Sequence, residues 1–184
     1  LGMDKLRLFF KGEGSSALAL YELLAGHTLG AALATSAQDT APLCLGPDVV
    51  RHVGYAPEEA LLPWSGRGFA GFRLLSEYFA FPQKFMFLDL CGLSARTMVL
   101  EDGRLEIFLY LDRSTPELER MVDVDMFALG CAPVVNLFQQ RCEPMSIDHT
   151  RTEYRVLPDA RRTKVTGVWE VNAVTELRQD GTSR

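Results

Sequence analysis

One short segment, residues 84–90 (KFMFLDL), constrains the fold of this 184-residue chain more than any other. Its apolar side chains fall on both faces of an extended chain: Phe85 and Phe87 lie on one face, and Met86, Leu88 and Leu90 lie on the other. A strand of this kind must be covered on both sides. The segment therefore predicts a central strand in a layered domain.

Other segments predict further strands. Residues 5–10 and 105–111 alternate apolar and polar side chains with period two, and residues 152–158 and 164–174 are also typical of strands. Asp102-Gly103, between two apolar runs, is a strong hairpin signal because both residue types tolerate a positive φ angle.

Three short helices are predicted, over residues 14–26, 71–81 and 114–122. Ser114 is the candidate N-cap of the third, and Pro116 fits its first turn. Residues 28–37 fit a strand or a poor helix, residues 132–140 fit a strand or a helix, and residues 38–64 fit a loop with four prolines. Strands joined by hairpins with only short helices between them predict an α+β fold, with mostly antiparallel or mixed β-sheets and a few short flanking helices.

The helix over residues 71–81 is predicted to be mostly buried. Phe72, Leu75 and Phe79 share one of its faces. Arg73 and Glu77 are four residues apart on the other, polar face, where they can form a weak ion pair.

Composition argues against two classes of partner. The net charge of −5 and the isoelectric point near 5.2 disfavour nucleic acid or an anionic membrane as the main partner. No apolar run reaches the ~18 residues that a membrane helix needs, so we expect no direct membrane insertion. Four cysteines, Cys44, Cys91, Cys131 and Cys142, are widely spaced without a C-x-x-C pair. They predict reduced, mostly buried thiols in a cytoplasmic protein rather than a zinc or redox site.

A glycine pattern raises the alternative of a nucleotide-binding enzyme. Gly66, Gly68 and Gly71 spell G-x-G-x-x-G, a helix-like run follows, and Asp89 lies 18 residues beyond Gly71. Pro63 and Trp64 argue against it, because the residues that lead into such a turn should form a strand and leave room for phosphate. We favour a loop that leads into a packed helix.

No other motif predicts chemistry. Asp123-Val124-Asp125 resembles the D-x-D of metal-dependent sugar transferases, but a solvated helix end explains it better. His27, His52 and His149 are isolated, and no nucleophile has an obvious base. We therefore predict no catalytic, cofactor-binding or metal-binding residue, no cofactor, and no enzymatic activity.

Two features fit a binding module instead. Arg161, Arg162 and Lys164 form a small basic cluster that suits an acidic surface, although a solvated loop explains it as well. Aromatic residues crowd into the middle third of the chain, where a surplus beyond the needs of the core would mark a protein interface. They are Tyr55, Trp64, Phe69, Phe72, Tyr78, Phe79, Phe81, Phe85 and Phe87.

Three separated stretches together resemble the TssF (ImpG/VasA) family of type VI secretion system baseplate proteins. They are LLPWSGRGFAGFRLLSEYFAFPQKFMFLDLCGL, FALGCAPVVNLFQQRCEPM and TEYRVLPDARR, within a resemblance that runs from about Leu6 to about Val174. The family pattern before the helix, Pro-x-Arg-Ser-Phe-Pro-Gly, is matched at Arg67, Phe69 and Gly71 but not at Gly68 or Ala70. On this resemblance the G-x-G-x-x-G pattern arises by substitution.

The resemblance implies a non-enzymatic structural role. TssF-like proteins form a wedge with TssG that contacts TssK, TssE and the central spike hub, and the contractile sheath assembles on these wedges. It implies a cytoplasmic location, in a baseplate docked at the inner membrane of a Gram-negative bacterium; self-association stays open. We expect residues 1–184 to be a single domain cut from a longer baseplate protein, with Leu1 and Gly2 as added residues ahead of Met3.

Overall fold

The computed structural model describes residues 3–12, 14–36, 38–64, 68–94, 104–162 and 166–176 of the chain. The chain divides into two compact units, Leu1–Val135 and Asn136–Arg184, which are described separately below. In the described part of the first unit, the strands are β1 (Lys5–Phe10), β2 (Thr28–Ala34), β3 (Leu43–Leu45), β4 (Val50–His52), β5 (Phe87–Cys91), β6 (Glu106–Leu111) and β7 (Phe127–Ala128). The α-helices there are α1 (Ser15–Gly26), α2 (Ala70–Ala80) and α3 (Pro116–Met121).

The first sheet has the strand order β4-β5-β1-β7, and its neighbouring strands are antiparallel. The strand predicted to be central, β5, lies between β4 and β1. Leu88 faces Leu8 across the β1–β5 pair, and Phe87, Leu88 and Leu90 are buried. The prediction of a covered central strand is confirmed.

The second sheet has the order β3-β2-β6, again antiparallel. Its middle strand, β2, settles the open choice for residues 28–37 in favour of a strand, and its residues from Gly30 to Ala34 are buried. The absence of a side chain at Gly30 lets the neighbouring strand of the same sheet approach closely. A Cβ atom added at Gly30 would lie 2.5 Å from the carbonyl oxygen of Leu45 on β3.

The hydrophobic core forms where α1 packs against the first sheet. Phe10, Leu20, Leu24 and Leu88 are buried together. The Phe10 ring meets the Tyr21 ring edge-on at 5.5 Å between centroids, which is a favoured aromatic geometry. The α+β prediction with antiparallel sheets and short flanking helices is therefore confirmed.

Several local predictions need correction. Residues 38–64 carry two short strands as well as loops, because β3 and β4 pair with neighbours that the sequence alone does not identify. The third helix exists, but Thr115 is its N-cap, without a side-chain cap bond; Ser114 Oγ donates instead to Glu119 at 2.8 Å. The Asp102-Gly103 turn lies outside the described residues, while the predicted second strand of that hairpin is present as β6.

The prediction that the cysteines are mostly buried is wrong. Cys44, Cys91, Cys131 and Cys142 are free thiols, but two of them are exposed and the other two are only partly buried. Cys44 belongs to the three-residue strand β3, so its side chain meets solvent rather than a second layer.

The second unit contains no helix or strand among its described residues, 136–162 and 166–176. The strands predicted over residues 152–158 and 164–174 are therefore wrong for this structure, and residues 132–140 form neither a strand nor a helix. Period-two alternation predicts an extended backbone, but a strand also needs a neighbour to form its ladder. Among the described residues of this unit, the Glu143 N–H donates a hydrogen bond to the Leu157 carbonyl at 2.9 Å, but a single bond of this kind does not form a ladder.

Candidate protein interface on helix α2

Helix α2 is packed with its charged face inward and its apolar face outward. The exposed fractions of Phe72, Leu75 and Phe79 are 69%, 56% and 77%, while Arg73 and Glu77 are buried. The prediction of a mostly buried helix whose apolar residues face the core is therefore wrong. The periodicity defined the two faces correctly, but it does not state which face meets the protein.

A buried ion network holds the charged face in place. Lys84, only 1% exposed, donates from Nζ to a carboxylate oxygen of Glu77. Arg73 Nη1 donates to the same oxygen at 3.1 Å, and the backbone N–H of Leu61 donates to the other at 2.9 Å. Burying charge is costly unless it is paired and hydrogen-bonded, and here one carboxylate receives three donors.

The network ties α2 to the loop before it. Arg73 Nη2 donates to the Tyr55 carbonyl at 2.8 Å. Glu59 Oε2 accepts the backbone N–H groups of Gly54 at 2.7 Å and Ala56 at 3.1 Å, which fixes the same loop. Directional bonds from its charged face therefore help to set the orientation of α2.

The buried ion network lowers the pKa of Glu77. Burial acts to raise the pKa of Glu77, but the hydrogen bonds from Lys84 and Leu61 and the charges of Lys84 and Arg73 outweigh it and lower the pKa. The carboxylate therefore stays charged to lower pH than an ordinary glutamate. The structural role of Lys84, the buried partner of Glu77, was missed by sequence reasoning; the one signal was a lone lysine at the start of a largely apolar segment.

A second ion cluster lies on the first sheet. Asp89, also buried, accepts from Arg7 through Nε at 2.7 Å and Nη2 at 2.9 Å, and pairs with Lys5 Nζ at 3.1 Å. Burial acts to raise the pKa of Asp89, but the hydrogen bonds from Arg7 and Lys5 and their charges lower it overall.

Acid should weaken the protein through these two carboxylates. A carboxyl group whose pKa is lower in the folded chain stabilises the fold above its unfolded pKa, and that stability is lost as pH falls through the folded pKa. We expect the free energy of unfolding to fall below about pH 5, by up to about 1.4 kcal/mol per pH unit for each group. Denaturant titrations at several pH values from neutral to acid would measure it. Asp89→Asn should show a shallower slope, and a pH-independent wild-type stability would contradict the assignment.

The described residues around the glycine pattern do not have the geometry of a dinucleotide site. Such a site needs a parallel strand that runs into the glycine turn. The described sheets pair antiparallel, and the described residues just before the turn, 61–64, do not form a strand. The Asp89 carboxylate, the candidate ribose ligand, is already occupied by Arg7 and Lys5.

The described glycines of the G-x-G-x-x-G pattern lie against aromatic side chains. A Cβ atom at Gly68 would lie 2.8 Å from the Trp64 ring, and one at Gly71 would meet the Phe69 ring. Gly66 lies outside the described residues. Both described glycines therefore make room for aromatic side chains.

The remaining candidates have local structural roles. Asp123 accepts the backbone N–H of Asp125 at 2.9 Å and caps a short 3₁₀ turn, as expected for a helix end. His27 pairs with Asp112 at 2.8 Å, and His52 meets the Tyr21 hydroxyl at 3.1 Å. Within the described ranges, no group of three or more metal-ligating side chains comes together.

The basic cluster predicted from the sequence is exposed where the structure describes it. Arg161 and Arg162 lie at the surface of the second unit, and Lys164 lies outside the described residues. Asp148 accepts hydrogen bonds from the hydroxyl groups of Thr150 and Tyr154 at 2.8 Å each.

Four residues define a surface that we call the α2 apolar face: Phe69, Phe72, Leu75 and Phe79. The Phe69 and Phe72 rings pack edge-on with centroids 5.7 Å apart. Beside the face, Tyr78 packs at 6.0 Å between centroids on Phe85, which is buried. The aromatic residues that crowd the middle third of the sequence thus fall into two groups. Phe85 and Phe87 are buried, whereas the aromatic residues of the α2 apolar face are exposed to solvent.

No helix in the described part of the chain is long and apolar enough to cross a membrane. Antiparallel sheets and short helices define the class of this protein as an α+β fold, and helix α2 carries an outward apolar face.

The chain belongs to the TssF family of the type VI secretion system, whose family model matches residues 1–184. It is 33% identical over 163 residues to the type VI secretion system component TssF1 of Pseudomonas aeruginosa, a match that covers 88% of this chain and 26% of that protein. The resemblance noted in the sequence is confirmed.

A solved structure shares the fold. The chain matches, with a TM-score of 0.72 and 26% identity, a chain in the cryo-electron microscopy structure of the TssK-TssF-TssG baseplate subcomplex of the type VI secretion system. The match covers 98% of this chain and 34% of that chain. This chain thus spans about a quarter to a third of the length of the two relatives.

Proposed function

We propose that the chain is part of a non-enzymatic structural subunit of the type VI secretion baseplate, a wedge component on which the contractile sheath assembles. The observation that carries the proposal is the outward α2 apolar face. It presents three phenylalanines on a helix whose opposite face is locked by buried ion pairs. Cytoplasmic placement, at a baseplate docked on the inner membrane, follows from that role.

A rigid, exposed aromatic face is suited to binding another protein. Interfaces are enriched in aromatic residues at their centres, and a few such residues supply most of the binding energy. The related chain was solved together with TssK and TssG. We assign the α2 apolar face to a TssG-type wedge partner, and contacts to TssK-, TssE- and spike-type proteins to other surfaces.

The buried charges also fit a structural role. The pKa values of Glu77 and Asp89 are lowered, and each carboxylate is held by two cationic side chains. A general acid or base needs a pKa near the working pH and access to a substrate. These carboxylates have neither, which supports a scaffold rather than a catalyst.

Binding measurements on charged variants test the proposal. In a longer chain that carries this domain, Phe72→Glu and Phe79→Glu should each weaken the complex with a TssG-type partner by about 30-fold or more, as for loss of a central aromatic contact. Leu18→Glu is the matched control, since Leu18 is 57% exposed on helix α1. Unchanged affinity in both phenylalanine variants would overturn the assignment. If the variants lost binding to a TssK-type protein but kept binding to the TssG-type partner, the α2 apolar face would be assigned to the TssK-type protein instead.

A further inference from the structure

Helix α2 is hydrogen-bonded to the loop of residues 54–61, GYAPEEAL. Arg73 Nη2 donates to the Tyr55 carbonyl at 2.8 Å, and the Leu61 N–H donates to Glu77 Oε1 at 2.9 Å. Arg73 and Glu77 are buried, and hydrogen bonds to charged groups are stronger away from water. The position of α2 therefore depends on the shape of this loop.

Glu59 fixes the shape of the loop and connects it to the first sheet. Its Oε2 atom accepts the N–H groups of Gly54 at 2.7 Å and Ala56 at 3.1 Å. Its other oxygen, Oε1, lies 3.8 Å from Arg7 Nη2 on strand β1. Arg7 in turn donates to Asp89 on strand β5 through Nε at 2.7 Å and Nη2 at 2.9 Å. One carboxylate thus links the loop that bonds to α2 with two strands of the sheet.

The loop also packs against the segment that leads from α2 into β5. A Cβ atom added at Gly54 would lie 3.0 Å from the carbonyl oxygen of Lys84. The Tyr55 ring lies 5.1 Å from the Phe85 ring between centroids. The loop therefore contacts both the helix and the residues that follow it.

We propose that Glu59 is a positioning residue for helix α2 and acts through the loop of residues 54–61. Loss of its carboxylate would release the two loop amides and the contact to the sheet, so that Arg73 and Glu77 would no longer meet a fixed loop. The α2 apolar face would then be presented in several orientations, and a partner would bind more weakly because binding must also order the helix. This consequence for binding rests on the proposed function, whereas the positioning of α2 does not.

Hydrogen–deuterium exchange of the full-length parent chain tests the positioning of α2 without a partner. In Glu59→Ala, amides of residues 54–61 and 70–80 should exchange at least about 10-fold faster, while strands β1 and β5 should exchange as in the wild type. Glu58→Ala is the matched control, because Glu58 is an exposed glutamate of the same loop, and it should change none of these rates. Glu59→Gln keeps an oxygen that accepts the two amides and should retain most of the protection.

Affinity for the TssG-type partner tests the consequence in the same variants. Glu59→Ala should weaken the complex by about 10-fold, and Glu59→Gln by less than about 3-fold. Unchanged exchange of α2 in Glu59→Ala would overturn the inference, and so would equally faster exchange of β1 and β5, which would mean a general loss of stability. A Glu59→Gln variant as disturbed as Glu59→Ala would also overturn it.

The affinity of the α2 face variant separates this inference from the proposed function. If Phe72→Glu weakens binding while Glu59→Ala loosens α2 without any loss of affinity, the positioning role in binding is wrong. If Glu59→Ala loosens α2 and Phe72→Glu binds as the wild type does, the proposed function fails and the positioning of α2 by Glu59 is confirmed.

Discussion

Replacement of Glu77 by alanine is expected to lower the free energy of unfolding by about 3–5 kcal/mol, the range measured when one partner of a buried ion pair is removed. Glu77 is the shared acceptor of Lys84, Arg73 and the Leu61 amide. Without it, two buried cations lose their counter-ion while they remain in the protein. Urea unfolding of the 184-residue protein, followed by circular dichroism, would measure the loss.

The control for this prediction is Glu22→Ala on helix α1, where the glutamate is exposed. Its effect should stay within about 0.5 kcal/mol. A triple variant, Arg73→Met with Glu77→Leu and Lys84→Met, removes all three charges and should recover much of the lost stability, because apolar replacements of buried ion pairs are often neutral. If Glu77→Ala behaved like Glu22→Ala, the charged face of α2 would not be the buried one.

The second large effect is expected at Phe10. This side chain is 1% exposed and lies in the core between the Tyr21 and Phe127 rings, each at 5.5 Å between centroids. Phe10→Ala should lower the free energy of unfolding by about 3–5 kcal/mol through lost burial and a residual cavity.

The same substitution at Phe79 provides the comparison. Phe79 is 77% exposed, so Phe79→Ala should change the free energy of unfolding by less than about 0.5 kcal/mol. Both values come from the same urea experiment on the 184-residue protein. A loss at Phe79 comparable with that at Phe10 would mean that the α2 aromatic residues are core residues, as their periodicity alone suggested.

The sequence predicted the first unit well where one pattern has one physical solution. A segment that is apolar on both faces, as at residues 84–90, has to be central, and β5 is central. The sequence failed where a pattern has two solutions. The two faces of α2 are clear from periodicity, but the charged face can turn inward when its charges find partners. The partners here, Lys84 and the Tyr55 carbonyl, lie outside the helix, so its periodicity does not reveal them.

The second unit shows the other limit of sequence reasoning. The alternation around Trp169 predicts an extended chain, and the chain carries no helix there. Strand formation also requires a hydrogen-bonded neighbouring strand, which alternation alone does not identify.

Hydroxyl-radical footprinting of the α2 apolar face tests the central claim most directly. In a full-length parent chain alone, Phe72 and Phe79 should be oxidised readily, and in the complex with a TssG-type partner they should be protected while Leu18 remains reactive. Protection of Phe72 and Phe79 in the parent chain alone would contradict the account, because the face would then be covered by its own chain. Continued reactivity in the assembled complex would contradict it equally.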